Sequence, residues 1–393
     1  GKYVVNGGIS VWTLMNLYER FPDKFGDNTL GIPEGGSGFP DLLDEARWEM
    51  DFLLGTQVPE GQPLAGMAHH KLHDRRWSGV PVMVPAEVNN DDANNGRFVF
   101  PPSTAATLNL AASAAQCARV WAELDADYSA RCLNAARRAW DAAIANPAVF
   151  TGRTPGEGGG DYSDSNVSDE FFWAAAELYV TTGEQGYLDY LIASPHFTNM
   201  PPSGSAMAWP DTAMLGVISL AIVPNNAGED ILRAMRDKII RVADFSLATL
   251  EGEGYRVPLI PGGYVWGSNS SVLNNAIVMA LAFDFTTEKR YLYGVMEAMN
   301  YILGRNAVNQ SFVSGYGTNA AAHPHHRFWG NNPAQGFPPP PPGAVMGGPN
   351  AQRSDEAALN AGIMEFGAAR RYVDLIGTYS TNEVAINWNA PLA

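Results

Sequence analysis

Cysteine is scarce here, with only two in 393 residues. Two thiols cannot build a disulfide scaffold or a four-cysteine zinc site. Positive charge is scarce too, 25 Lys and Arg against 41 Asp and Glu, for a formal charge of −16 and a pI near 4.8. No basic cluster breaks that balance, which excludes a nucleic-acid footprint and attraction to anionic membranes as functions. Long hydrophobic runs are missing as well. The stretch Ile277–Phe285, interrupted by Asp284, falls far short of the roughly 20 apolar residues that a membrane span requires. The opening Gly1–Gly8 lacks the charged and apolar regions of a targeting segment and reads like the interior of a domain. What the chain does have is 46% hydrophobic residues, 40 Gly, 27 Pro and 10 Trp. That combination predicts a large core carrying long, stiff, aromatic-lined loops.

The helical period recurs along the chain and the strand period hardly appears. Helices are predicted over Ile9–Arg20, Asp41–Leu54, Ser103–Leu124, Asp127–Ala145, Ser168–Thr182, Thr212–Val223, Glu229–Leu250, Ser270–Phe285, Lys289–Leu303 and Glu356–Tyr372. Pro40 opens the second, Ser168 is expected to cap the fifth, and Gly183 ends it. Short turns join several of these into antiparallel pairs, and no sequence repeat of solenoid length occurs. The expectation is an all-α fold, a closed double ring of helical hairpins, forming one domain over residues 1–393. Trp121, Trp140 and Trp173 fall on helices and are expected in the core. Cys117 and Cys132 flank the Asp125–Asp127 turn at similar distances, so they could face each other across a hairpin, as a disulfide or as two reduced thiols.

Chemistry is expected in the loops, where Trp, His, Arg and carboxylates concentrate. Aromatic rings beside carboxylates suit a sugar site, because pyranoses offer flat C–H faces and a rim of hydroxyls. Glycosidic bonds are cut between a protonated carboxyl and an ionised one.

Several segments carry a family resemblance: GKYVVNGGIS at Gly1–Ser10, His323-Pro324-His325-His326-Arg327, and NEVAINWNAPL from Asn382 to Leu392. Between them lie PPSTAATLNLAA, NVSDEFFWAAAELYVTTGE, WGSNSSVLNNA and PPPPPGAVMGGPN. In this order, over essentially the whole chain, they resemble the catalytic domain of glycoside hydrolase family 9 (cellulase family E), in bacterial members that often carry an immunoglobulin-like module in front. The resemblance implies an (α/α)6 barrel and hydrolysis of β-1,4-glucans, cellulose or soluble β-glucan, with inversion at the anomeric carbon. It implies secretion as well. The family's Asp-Ala-Gly-Asp motif, whose aspartates position and deprotonate the attacking water, would fall immediately before Gly1. The base Asp is therefore not present in this chain, and an upstream segment or module is the expected source.

The resemblance makes Glu383 the general acid, and Asp374, nine residues earlier, could supply a neighbouring charge if it is not simply an exposed turn residue. His325 and Arg327 match the family's sugar-binding His and Arg, and His326 is expected to pack. Zinc on His323, His325 and His326 is disfavoured, since no fourth ligand is evident. His70, with Lys71 and Trp77 after it, resembles a substrate-cleft segment. Tyr162, Trp209, Trp266 and Trp388 lie in or beside the motif-bearing loops and are expected to contact substrate. The segment from Asp164 to Glu170 offers clustered oxygens, and the resemblance implies structural calcium held by Ser165, Asp169, Glu170 and Asp211, with Asn166 contributing its carbonyl. A helix N-terminus favouring acidic residues accounts for the same cluster. A second ion at Asn89–Asp92 competes with a solvated turn. Two other functions are open from the sequence: an exo-acting hydrolase of cello-oligosaccharides or glucosaminides, and a non-catalytic glycan-binding fragment without the base.

Overall fold

A computed structural model describes residues 1–83, 96–153, 158–199, 204–352 and 354–393; the segment Asn89–Asp92 lies outside them. A two-residue strand, β1 (Lys2–Tyr3), runs straight into α1 (Val4–Arg20), and α2 (Asp41–Gly55) starts directly behind Pro40. Four short strands follow: β2 (Ala68–His69), β3 (Lys71–Asp74), β4 (Arg97–Val99) and β5 (Pro102–Ser103). β3 lies antiparallel between β1 and β4, with Tyr3 opposite Lys71 and Leu72 opposite Val99, while β2 pairs with β5. Then come α3 (Thr104–Trp121), α4 (Ala126–Ala145), α5 (Ser168–Thr182), α6 (Gln185–Ala193) and the single turn α7 (Pro195–Thr198). After these run α8 (Ala213–Ile222), α9 (Glu229–Gly252), α10 (Ser268–Thr286) and α11 (Lys289–Ile302). Three short helices finish the chain: α12 (Glu356–Asn360), α13 (Tyr379–Asn382) and α14 (Ile386–Asn389).

The helices sort into two layers by how much of each surface is apolar. α1, α3, α5, α8 and α10 are buried on most sides, which suits an inner ring. α9 buries one stripe, Met235, Ile239, Val242, Ala243, Leu247 and Leu250, as an outer helix should. Each of α2, α4, α6, α9 and α11 packs on the inner helix before it, and α14 touches both α10 and α1, closing the ring. This is the all-α (α/α)6 barrel, and Trp12, Trp121 and Trp173 fill its core with no exposed surface. Each fully buried large apolar side chain contributes about 1.5–3 kcal/mol. Cys117 and Cys132 do meet across the α3–α4 hairpin, as buried unbonded thiols 3.0 Å apart.

Two local expectations are corrected. The helix expected over Glu356–Tyr372 is broken: α12 stops after five residues, and Gly362, at φ +69°, and Gly367 divide the rest into isolated turns. Ser168 does not cap α5, because Val167 occupies that position and the Ser168 hydroxyl is bonded to the Asn166 side chain at 2.8 Å and to His196 Nε2 at 2.9 Å. Gly183, by contrast, ends α5 in the left-handed conformation, at φ +70°.

The inner helices start at a common rim. Tyr3 before α1 and Trp209 before α8 each pack against Tyr162 before α5, and Ser103 before α3 is tied through His70 to the loop ahead of α5. The opposite end is closed by a buried ion cluster. Arg119 of α3 bonds Glu177 of α5 at 3.0 Å and Glu19 of α1 at 2.6 Å, and Trp12 Nε1 donates to Glu177 at 2.8 Å.

Candidate active site

Glu383 leaves the C-terminal end of α13 in extended backbone, strapped between two neighbours. The His325 amide donates to the Asn382 carbonyl at 2.8 Å, and the Gly347 amide donates to the Glu383 carbonyl at 2.9 Å. Its carboxyl Oε2 accepts a hydrogen bond from Trp266 Nε1 at 3.0 Å. Burial pushes the acid up to about 7, opposed by the indole N–H, the Arg327 guanidinium and the Gly1 α-amino group, with Asp355 adding a small upward push. A carboxyl poised near neutrality can hold a proton and release it, which is what a general acid needs.

The supporting shell comes from segments far apart in sequence. Asp355 accepts from the Ser380 amide at 2.8 Å and hydroxyl at 2.7 Å, fixing α13 from beneath. Asn382 is held through its side chain by Tyr372 at 2.7 Å and bonds the His323 carbonyl at 2.5 Å. Asp374 is not an exposed turn residue, and its carboxylate serves the loop: it accepts from the Ala322 and His323 amides at 2.7 and 2.9 Å and from Asn382 Nδ2 at 3.1 Å. The expected charge beside Glu383 is thus supplied by Asp355, and Asp374 pins the His-Pro-His-His-Arg loop.

That loop presents two side chains to the cleft. His325 Nδ1 donates to the Ile376 carbonyl at 2.6 Å, and burial lowers its pKa, so a neutral ring offers Nε2 outward. Arg327 is steadied by Nε donating to Ser78 Oγ at 3.0 Å, with Trp77 facing the guanidinium at 6.0 Å. His326 stacks on Trp329 at 4.0 Å and accepts from its amide, and His323 turns to Asp374, so the three histidines take separate partners.

Two expected contact residues sit elsewhere. His70 is fully buried with both ring nitrogens committed, Nδ1 to Ser103 Oγ at 2.8 Å and Nε2 to the Asp161 carbonyl at 3.0 Å. It positions the Asp161–Tyr162 segment, since no face of its ring is open to a sugar. Trp388 is buried against Gly267 and Gly347, and a Cβ on Gly267, whose φ is +81°, would come within 2.5 Å of its indole. The half-buried Tyr162 and Trp209 do join, at 5.2 Å edge to face, with Tyr3 4.4 Å from Tyr162. Burial and the Glu383 charge both raise Tyr162, placing this aromatic row within electrostatic reach of the acid. Sequence reasoning missed Tyr3, Ser78 and Tyr379. Only Tyr379 left a signal, four residues before Glu383 and so on its face of one helical turn.

A second acidic group lies at the start of α5. Glu170 is fully buried and neither carboxylate oxygen has a hydrogen-bond partner, and Asp164 Oδ2 is likewise buried without one. Asp169 Oδ2 accepts from the Thr212 amide at 2.7 Å. Burial and the surrounding carboxylates raise Glu170 well above the carboxylate range and Asp211 to about 6. Among the described residues no lysine or arginine pairs with these four acids, and no group of three or more His, Cys, Asp or Glu side chains is placed to hold a metal ion by itself. Asn166 and Ser165 are exposed, and the Asn166 side-chain oxygen is occupied by the Ser168 hydroxyl. Asp164 takes the inward place instead.

The chain was compared with known proteins. The cellulose 1,4-beta-cellobiosidase of Acetivibrio thermocellus is 44% identical over 424 residues, covering all of this chain and 47% of that protein. Endoglucanase C of Cellulomonas fimi is 43% identical over 403 residues, again across the whole chain and 36% of its own length. The chain thus spans about half or less of these relatives. A crystal structure of a metagenome-derived glycoside hydrolase family 9 endoglucanase superposes with a TM-score of 0.87 at 33% identity, covering 100% of this chain and 67% of that one. The family model for glycosyl hydrolase family 9 matches residues 1–393. With the helical double ring and the ordered motifs around Glu383, this chain belongs to glycosyl hydrolase family 9.

Proposed function

We propose that this chain is the catalytic domain of an inverting β-1,4-glucan hydrolase in which Glu383 is the general acid. One observation carries the reading: the Glu383 carboxyl, held by the Trp266 indole N–H at 3.0 Å, stands on a backbone bridge to His325 and within electrostatic reach of Arg327, at the position of the family's terminal signature. The two relatives bear the names cellobiosidase and endoglucanase, and β-1,4-glucan is the substrate class common to those names. Glu383 protonates the leaving oxygen, Arg327 and His325 hold hydroxyls beside it, and Tyr162, Trp209 and Trp266 offer ring faces. In this reading the base is one of the aspartates of the family's Asp-Ala-Gly-Asp motif, and the nearness of Gly1 to both Glu383 and Arg327 is consistent with that side of the site. Secretion fits a polymeric substrate, and no helix among the described residues is long and apolar enough to cross a membrane.

Structural calcium here is supported by the buried oxygens of Glu170 and Asp164 that have no partner, with Asp211 and Asp169, one of whose oxygens is taken by the Thr212 amide, beside them and Ser165 at the loop edge. The ion neutralises the cluster and ties the start of α5 to the start of α8.

The test uses a protein that includes the upstream motif. Glu383→Gln should cut turnover of cello-oligosaccharides by about 10²–10⁴-fold while sparing substrates with acidic leaving groups. NMR of the first product should show the inverted anomer. Retention of configuration, or full activity of the variant on soluble β-glucan, sinks the assignment.

A further inference from the structure

Glu383 has two oxygens, and the structure treats them differently. Oε2 accepts from the Trp266 indole N–H at 3.0 Å, whereas Oε1 has no hydrogen-bond partner among the described residues. Trp266 is itself clamped: its ring lies stacked on Tyr379, with centroids 5.8 Å apart and planes 29° from parallel. Tyr379 and Glu383 stand four residues apart, where one helical turn puts side chains on a shared face. Trp266 therefore engages that face twice, through its N–H to one residue and through its ring to the other. Tyr379 also packs against His325 in a T-shaped arrangement, ring centroids 5.6 Å apart.

We propose that Trp266 is a positioning residue that decides which oxygen of Glu383 carries the transferable proton, and that Tyr379 holds the indole for that task. An indole N–H donates only. The oxygen facing it acts as acceptor, and the carbonyl oxygen of a neutral carboxyl accepts better than its hydroxyl oxygen, so the hydrogen is favoured on Oε1. When the glycosidic C–O bond breaks, its electron pair goes to the leaving oxygen and the Oε1 proton follows. The carboxylate left behind keeps its bond to Trp266, now charge-assisted and stronger. The indole thus stabilises the ionised form more than the neutral one and eases proton release. The other groups facing Glu383 do not choose between its oxygens by hydrogen bonding: Arg327 acts through charge, as does the Gly1 amino group where the chain starts there, and Asp355 in the opposite sense, while Tyr3 and Tyr162 feel the Glu383 charge in return.

This rests on the reading of Glu383 as the acid, but its first test does not need turnover. The 393-residue chain would be labelled with carboxyl-¹³C glutamate and titrated by NMR, with Glu383→Gln identifying the signal. Trp266→Phe keeps a ring against Tyr379 and removes the N–H. It should raise the Glu383 titration by about one pH unit, the scale of one hydrogen bond to a charged group. Tyr379→Phe should leave it in place, and Tyr379→Ala should raise it by less. Should Trp266→Phe fold poorly, benzothienylalanine at 266 keeps the indole's shape with sulfur in place of N–H. A titration unchanged in whichever replacement folds overturns the proposal.

The second test uses the protein carrying the upstream motif. Trp266→Phe should move the basic limb of the kcat profile upward and lower kcat on cello-oligosaccharides by a larger factor than on dinitrophenyl cellobioside, whose leaving group needs no proton. Equal losses on both substrates would make Trp266 a sugar platform only and overturn the positioning role. A shifted titration in a protein whose Glu383→Gln variant is fully active would refute the acid assignment and leave the Trp266 contact standing.

Discussion

The two ends of the barrel bury carboxylates in different ways. At the closed end Glu177 has no exposed surface, and Arg119, Trp12 and the Ser219 hydroxyl all bond to it. The neighbouring charges of Glu19 and Glu177 outweigh burial at Arg119 and hold its guanidinium charged, whereas at Glu177 itself burial still raises the pKa against the pull of Arg119. At the open rim Glu383 has a single N–H donor, and Glu170 has none. A buried carboxylate must be paired, protonated or bound to a cation, since an isolated charge in a low-dielectric interior is too costly. The closed end uses pairing, which is inert. The rim leaves the other two answers open, a proton at Glu383 and a cation at the Glu170 cluster, and chemistry can use both.

The comparison can be broken most sharply at Glu383, where the amide variant should lose about 10²–10⁴-fold in kcat with little loss of structure. Next comes the closed end. Arg119→Met leaves Glu19 and Glu177 without their cation and should lower stability by about 3–5 kcal/mol, read from urea unfolding, with no change in the Glu383 titration. If stability holds, the ion cluster is not what secures that end. At the rim, calcium at about 100 times its Kd should add about 2.7 kcal/mol, and chelation should lower Tm by several degrees. A Tm indifferent to chelator and to re-added calcium removes the cation from the Glu170 cluster. Arg327→Lys keeps the charge but loses the planar fork, and kcat/KM should fall by roughly 10–100-fold, about 1.4–2.8 kcal/mol. Unchanged kinetics would place Arg327 outside the substrate contacts.

The smallest expected effect concerns stability and pH. The folded pKa of Glu383, about 7, is raised above its unfolded value near 4.5, so the native state binds the extra proton in that window. Stability attributable to this group therefore falls as pH rises from about 4.5 to 7. Glu383→Gln removes the penalty, and should be more stable than the parent at pH 8 by roughly 1–3 kcal/mol and equal to it at pH 4. Equal stability at both pH values would mean that Glu383 is not strained by its burial.

Much of this was determined by the sequence alone. Helix positions follow from local periodicity, and α5 ends at Gly183 because glycine alone enters the left-handed region without strain. The order of His325, Arg327 and Glu383 is carried by motifs that fold as local straps. Tertiary structure decided what depends on distant neighbours. Trp266 and Trp388 look alike in sequence, yet one bonds Glu383 and the other is buried against Gly267, where any Cβ would collide with it. Asp374 serves a loop some 50 residues away in the chain, and Asp164 rather than Asn166 turns inward. Periodicity and motif are properties of neighbours along the chain, whereas the partner of a buried polar group is set by which segments the closing ring of helices brings to the rim.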